Sequence, residues 1–301
     1  MAASLLLLVP AVLFATGGLV VLVVLTLTAR PDHTLASEVA SARRHGLVTS
    51  VLAATAFVAT VAFLIALASR PSDGYVRLLQ GALPLTGAVV ALLVLALGEL
   101  TWPRPRGLQR QVNLNPRTLS DLVPPTWTRI LVGLTVLTVA VIGFGWWAAH
   151  PYGHSLVRVH EGGLQVDSAS PFPGSDYGIP QLVALGVALL SLYGVLRLVV
   201  LRPAVVRSDV ATDNRLRAAS AVRAIRVVVS ALALTAAGNL FFGGTTGLRL
   251  YDPGWQQNLS AAAMLVGGSL GVVGILLVLA PAPRLPKADP VVPPAPATTS
   301  S

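Results

Sequence analysis

The sequence predicts an all-α membrane protein, a bundle of about seven transmembrane helices with a small extracellular β-hairpin. Three observations predict it. Hydrophobic residues fill 54% of the 301 positions and charged residues only 11%, whereas a soluble domain carries roughly 25% charged residues. The charges are also unevenly spread: 1–29, 46–69, 78–98, 130–149, 177–196, 227–248 and 253–283 contain no Asp, Glu, Lys or Arg. Each run reaches the roughly 20 apolar residues that a helix needs to cross a hydrocarbon core about 30 Å thick. Finally, the runs are apolar all round, unlike the strands of a membrane β-barrel, which alternate apolar and polar residues over about 10 positions.

These runs place spans near 4–28, 47–69, 78–100, 128–149, 180–201, 226–246 and 258–280. The first is expected to be a retained span. Met1 to Ser4 carry no charged side chain, and the apolar run far exceeds the 7–15 residues of a signal peptide. With seven alternating spans, one set of connections holds 17 of the 21 basic residues and the other only Arg70, Arg77, Arg158 and Arg249. Positive charge accumulates on the cytoplasmic side, so the N-terminus is expected outside and the C-terminus in the cytoplasm of a bacterial plasma membrane. Trp102, Trp127, Trp146, Trp147 and Trp255 all fall at expected helix ends, where amphipathic rings favour the membrane–water boundary.

Between the spans, the pattern predicts a short helix over 31–46. Its start is acidic (Asp32, Glu38), its end is basic (Arg43, Arg44), and Gly46 serves as its C-cap. A second short helix begins at Asn115-Pro116 and stops at Pro124-Pro125. In the most basic connection, Asp213 is expected to cap a helix that runs through Arg215, Arg217, Arg223 and Arg226 into the sixth span. The loop 150–180 is long enough for structure of its own. Ser155–His160 and Leu164–Asp167, joined through Glu161-Gly162-Gly163, read as a β-hairpin with Gly247–Tyr251 as a third extended piece. Pro171-Phe-Pro-Gly174 makes a turn, and the Pro-rich tail 281–301 is expected to be disordered.

The chemistry on offer is sparse. The chain has no cysteine, which excludes disulfides, thiolate metal sites and thiol nucleophiles. No metalloprotease helix, phosphate-binding glycine loop or nucleophile elbow occurs, so no catalytic residue and no cofactor is expected. Ionisable groups within spans mark ion or substrate pathways, and here Glu99 and Arg197 lie near the inner ends of their spans, close enough to pair. Asn239 needs a partner in hydrocarbon. Thr86 and Ser191 join it as candidates for a polar cavity or for helix packing. Gly267-x-x-x-Gly271, continued by Gly274, makes a small face for close packing within or between protomers. His150, His154 and His160, with Glu161, Asp167 and Asp176 nearby, are weak metal candidates. The basic loops fit anionic lipid and topology better than nucleic acid. A membrane-protein partner or a homo-oligomer remains open.

Gly98-Glu-Leu-Thr-Trp-Pro-Arg-Pro105 and Ser170-Pro-Phe-Pro-Gly-Ser-Asp-Tyr-Gly-Ile-Pro180 resemble strings in uncharacterised multi-pass membrane proteins of high-GC Gram-positive bacteria; the resemblance implies no activity. Two seven-span families fit poorly. Microbial rhodopsins need a lysine in the last span, and the single lysine here, Lys287, is in the tail. Sugar transporters of the three-plus-one-plus-three type use prolines in paired spans, and the second and sixth spans have none. The expectation is therefore a non-enzymatic, permease-like or accessory membrane subunit. The alternatives are a small-solute transporter or channel and an outside-facing sensor or binding module.

Overall fold

The computed structural model describes residues 37–68, 81–102, 122–151, 153–160, 166–204 and 210–280. Six helices and one hairpin follow in order: α1 (Ser37–Ala68), α2 (Leu83–Leu100), α3 (Pro125–Ala148), β1 (Leu156–Val159), β2 (Val166–Ala169), α4 (Ser175–Leu201), α5 (Val210–Leu250) and α6 (Trp255–Leu279). Among the described residues, all six helices are long and apolar enough to cross a membrane. They fall on the expected spans from the second onward. The expected first span, 4–28, and the tail, 281–301, lie outside the described residues.

The bundle is arranged around α5. It is the most buried helix, with 61% of its apolar window enclosed against 11% for α6. Its inward positions are small, among them Ala221, Ala224, Ala231, Ala236 and Ser230, and in lipid such residues let helices approach closely. Leu85, Ala88, Leu92 and Leu95 of α2 and Leu185, Ala188, Leu192 and Val195 of α4 join the core against Val228 and Leu232 of α5. The outer helices turn large apolar side chains away from the bundle, such as Leu190 at 71% and Leu265 at 66% exposure. In water that surface would be costly; in a bilayer it is the wall.

α6 packs along α5 through glycines. A Cβ on Gly267 would sit 2.7 Å from the Phe241 nitrogen and 2.8 Å from the Ala237 oxygen, and one on Gly274 would sit 2.8 Å from Leu234 Cγ. Gly271 meets only the Ala237 Cβ, at an ordinary 3.6 Å, and Gly268 faces open space. The small face is therefore used within the protomer, chiefly at Gly267 and Gly274.

Several local expectations need correction. Gly46 does not end a short helix: α1 runs unbroken from Ser37 to Ala68. No breaker follows Gly46, and the lost helical propensity, about 1 kcal/mol against Ala, is offset by the close approach of Arg223 to the bare backbone. At Pro124-Pro125 one helix stops and another begins: Leu122 is helical, Val123 bends and Pro124 lies outside any helix, while Pro125 occupies the first turn of α3, where a missing N–H costs nothing; the expected stretch from 115 to 121 lies outside the described residues. Gly247–Tyr251 is not a strand. α5 continues to Leu250, with Tyr251 N–H donating to the Gly247 oxygen at 3.0 Å. The hairpin's second strand runs on to Ala169, two residues past its expected end at Asp167, in the register Leu156↔Ala169 and Arg158↔Asp167; the expected start, Leu164, lies outside the described residues. That register sets opposite charges directly across the pair, which stabilises it. Asp213 lies in the first turn of α5 and not at its cap.

Candidate functional site

The hairpin marks one end of the bundle, and the other end holds a buried ionic network. α5 supplies its centre. Asp213 and Arg217, one helical turn apart, pair at 2.8 Å with both side chains fully enclosed. The remaining Arg217 donors reach α4: Nη1 donates to the Val199 and Val200 oxygens at 2.6 and 3.0 Å, and Nη2 to the Arg202 oxygen at 2.7 Å. The last four carbonyls of a helix lack intrahelical partners, and a planar guanidinium with five donors can serve several at once. Arg226 does the same for α6, donating to the Leu277 oxygen at 3.0 Å and the Ala280 oxygen at 2.5 Å.

Arg202 closes the network toward α2. Its Nη1 donates to Glu99 Oε2 at 2.8 Å, with side-chain exposures of 2% and 7%, and lies 3.4 Å from Ser220 Oγ. Its guanidinium stacks 3.9 Å over the Trp102 ring. Nε and Nη2 of Arg202 and Nε1 of Trp102 have no hydrogen-bond partner among the described residues, so the ring's electron-rich face provides part of the cation's stabilisation. His45 of α1 meets Trp102 edge-on at 5.1 Å, with its Nε2 2.9 Å from the Gly98 oxygen. Arg223 then ties α5 to α1, donating to the Gly46 oxygen, to Ser50 Oγ at 3.2 Å and to Ser220 Oγ at 2.7 Å. Two buried arginines (Arg202, Arg217) thus pair with two carboxylates (Glu99, Asp213), and the half-buried Arg223 beside them donates to carbonyl and hydroxyl oxygens.

Farther along the bundle, Asn239 of α5 and Gln181 of α4 exchange two amide hydrogen bonds, at 2.9 and 3.0 Å, with 6% and 3% exposure. Thr138 of α3 donates to Leu134 in its own helix and approaches the Leu232 oxygen at 3.3 Å, and Ser230 donates to the Gly274 oxygen at 2.5 Å.

At the hairpin end, single ion pairs attach the strands to the helices. Arg158 donates to Asp252 Oδ2 at 2.6 Å and to the Leu250 oxygen at 3.3 Å, while Leu156, Phe172 and Leu250 form a small apolar seat. The hydrogen bond from Arg158, and then its charge, hold the Asp252 carboxyl below the usual carboxylate range. His154 pairs with Asp176 at 3.1 Å and His160 with Asp167 at 2.6 Å.

The residues singled out from the sequence are thus dispersed. Glu99 pairs with Arg202 and not with Arg197, which is exposed on α4. His150, His154 and His160 do not converge, and among the described residues no three His, Asp or Glu side chains gather in metal-binding geometry. Thr86 donates to its own helix at the Ala82 oxygen, 2.9 Å away, and lines a groove between α2 and α4. Ser191 is half-buried on α4. Sequence reasoning missed Gln181, Arg202 and Trp102 as partners. One signal was present: Gln181, an amide just inside an apolar run, is the same kind of group as Asn239.

No protein-family model matches this chain, and no curated protein or solved structure matches it either. Function rests on the site alone.

Proposed function

We propose that this chain is a non-enzymatic polytopic protein of a bacterial plasma membrane, a permease-like or accessory subunit of a larger assembly. On this reading it crosses seven times, with the N-terminus outside and the C-terminus in the cytoplasm. The observation that carries it is that most of the buried polar side chains described within the bundle bond to one another or to backbone oxygens, the exceptions being nitrogens of Trp102, Arg202 and Arg223. Glu99 and Asp213 already accept from arginines, Asn239 and Gln181 satisfy each other, and Ser230 and Thr138 bond to backbone oxygens. Such groups hold helices in place, and those named here are engaged with one another or with the backbone rather than placed as an acid, base or ligand for chemistry. The separation of the arginine network from the hairpin supports the orientation, since basic residues favour the cytoplasmic side. Anionic headgroups suit the basic residues at that end.

A second reading, a small-solute transporter, draws support from the Thr86 groove, although Asn239 does not line it. The two are separated by purifying the tagged protein in native lipid and measuring subunit stoichiometry through two successive affinity steps. A constant ratio to a second membrane protein is expected. Recovery of this chain alone, together with solute flux in proteoliposomes, would replace the subunit reading with the transporter.

A further inference from the structure

The groove between α2 and α4 opens along the hairpin half of the bundle and encloses about 600 Å³. Its walls are Ala82, Thr86 and Val89 on one side and Ile179, Pro180, Val183, Ala184 and Val187 on the other, with Ser175 and Asp176 at one end. Polarity is confined to that end. The Thr86 hydroxyl is turned to its own helix, and Val183 is 64% exposed. From Asp176 to Val187 is about 16 Å along a helix at about 1.5 Å per residue, close to the depth of one leaflet, half of about 30 Å. An apolar slot of leaflet length in a membrane-spanning wall is filled by hydrocarbon, because an unfilled one forfeits dispersion contacts.

The end group decides which lipid. Asp176 has 41% of its side chain exposed, and its neighbour across the loop, His154, meets one of its carboxylate oxygens. An ammonium headgroup gains a charge-assisted hydrogen bond there, whereas a headgroup with net negative charge meets a carboxylate. We propose that the groove is a binding site for one acyl chain of an amine-bearing phospholipid from the hairpin-side leaflet, its ammonium donating to Asp176. The site requires only that the helices span a bilayer; it is independent of the subunit reading, and a lipid seated there would take the groove away from the transporter reading.

The test uses the full chain in nanodiscs of equimolar phosphatidylethanolamine and phosphatidylglycerol, with the retained lipid read by native mass spectrometry. Phosphatidylethanolamine is expected to be retained about tenfold over phosphatidylglycerol, as one charge-assisted hydrogen bond provides. Asp176→Asn should bring the ratio near parity while a lipid is still retained, and Val183→Trp should remove retention by filling the slot from an exposed position. If Val183→Trp fails to fold, the Asp176→Asn ratio decides. Three results would overturn the proposal: no retained lipid, equal retention of both headgroups by the wild type, or an unchanged ratio in Asp176→Asn. A near-complete disulfide between Leu13→Cys and Val183→Cys would also overturn it, by seating the chain's own segment in the groove. A chain that fails to enter nanodiscs at all would instead refute membrane spanning.

Discussion

Arg217 shows how a single side chain can hold two helices. Its own helix provides the countercharge, Asp213, and the neighbouring helix provides three carbonyl oxygens. Removing one member of a buried pair leaves the other uncompensated, typically at a cost of about 3–5 kcal/mol. Arg217→Met and Asp213→Ala are each expected to destabilise the protein by about that amount. The double variant should lose distinctly less than their sum, because the residues share one interaction; thermal unfolding in detergent measures both. Additive losses would deny the coupling. At the other end, Asp252 gives a pH prediction. Its carboxyl is depressed by Arg158, so its contribution is present above the unfolded carboxylate pKa and is lost as pH falls through the lower folded value. Hairpin attachment should therefore be intact at neutral pH and weaken only in strong acid. In Arg158→Gln the Asp252 titration, followed by carbon NMR, should rise to the ordinary carboxylate range.

Residue-scale legibility had a physical limit. The Asp213–Arg217 spacing is readable as a helical pair, but a basic residue beside a span reads equally well as topological charge. Whether its guanidinium meets lipid phosphate or the end of another helix depends on tertiary packing. The Glu99–Arg197 expectation failed for the same reason: proximity along the span axis is readable, but the azimuth around the helix is not, and Arg202 faces inward.

At the scale of elements, the long apolar runs located the described helices because hydrocarbon leaves few alternatives to a continuous helix. The ends were less legible. Gly46 and Gly247 were read as breaks by local rules, yet both sit inside continuous helices, α1 and α5, whereas Pro124 does interrupt the helix, between Leu122 and Pro125. The hairpin was legible as two short extended pieces, and its register sets Arg158 opposite Asp167, a pairing that the sequence alone did not single out. The α5–α6 contact gives a sharp prediction. Gly267→Leu should destabilise the protein by at least about 1–3 kcal/mol through overpacking, since backbone atoms of α5 lie in the way. Gly268→Leu, one residue on and facing open space, should change stability little. Equal effects on the midpoint of thermal unfolding would contradict the packing.

The whole molecule inverts the arrangement of a soluble domain. Its most buried helix, α5, carries Asp213, Arg217 and Asn239 among its enclosed side chains, and its outer helices expose large apolar side chains. α5 has 41 residues, about 62 Å at about 1.5 Å per residue. That is twice the hydrocarbon thickness, so a crossing α5 extends beyond the apolar layer, and its charged stretch from Asp213 to Arg226 is the part suited to do so. Asn239 and Gln181 tie α5 to α4 within that layer, and Asn239→Leu should cost about 1 kcal/mol; much of that should be recovered in Asn239→Leu with Gln181→Leu, where no orphan amide remains. A chain without cysteine also permits the most direct test of the central claim, that the helices cross a membrane with the arginine network inside the cell and the hairpin outside. Single cysteines at Ser168 and Asn214 should be probed in intact cells with an impermeant maleimide. The account predicts labelling of Ser168→Cys at once and of Asn214→Cys only after the membrane is opened; labelling of Asn214→Cys in intact cells, or recovery of the chain in the soluble fraction without detergent, would contradict it.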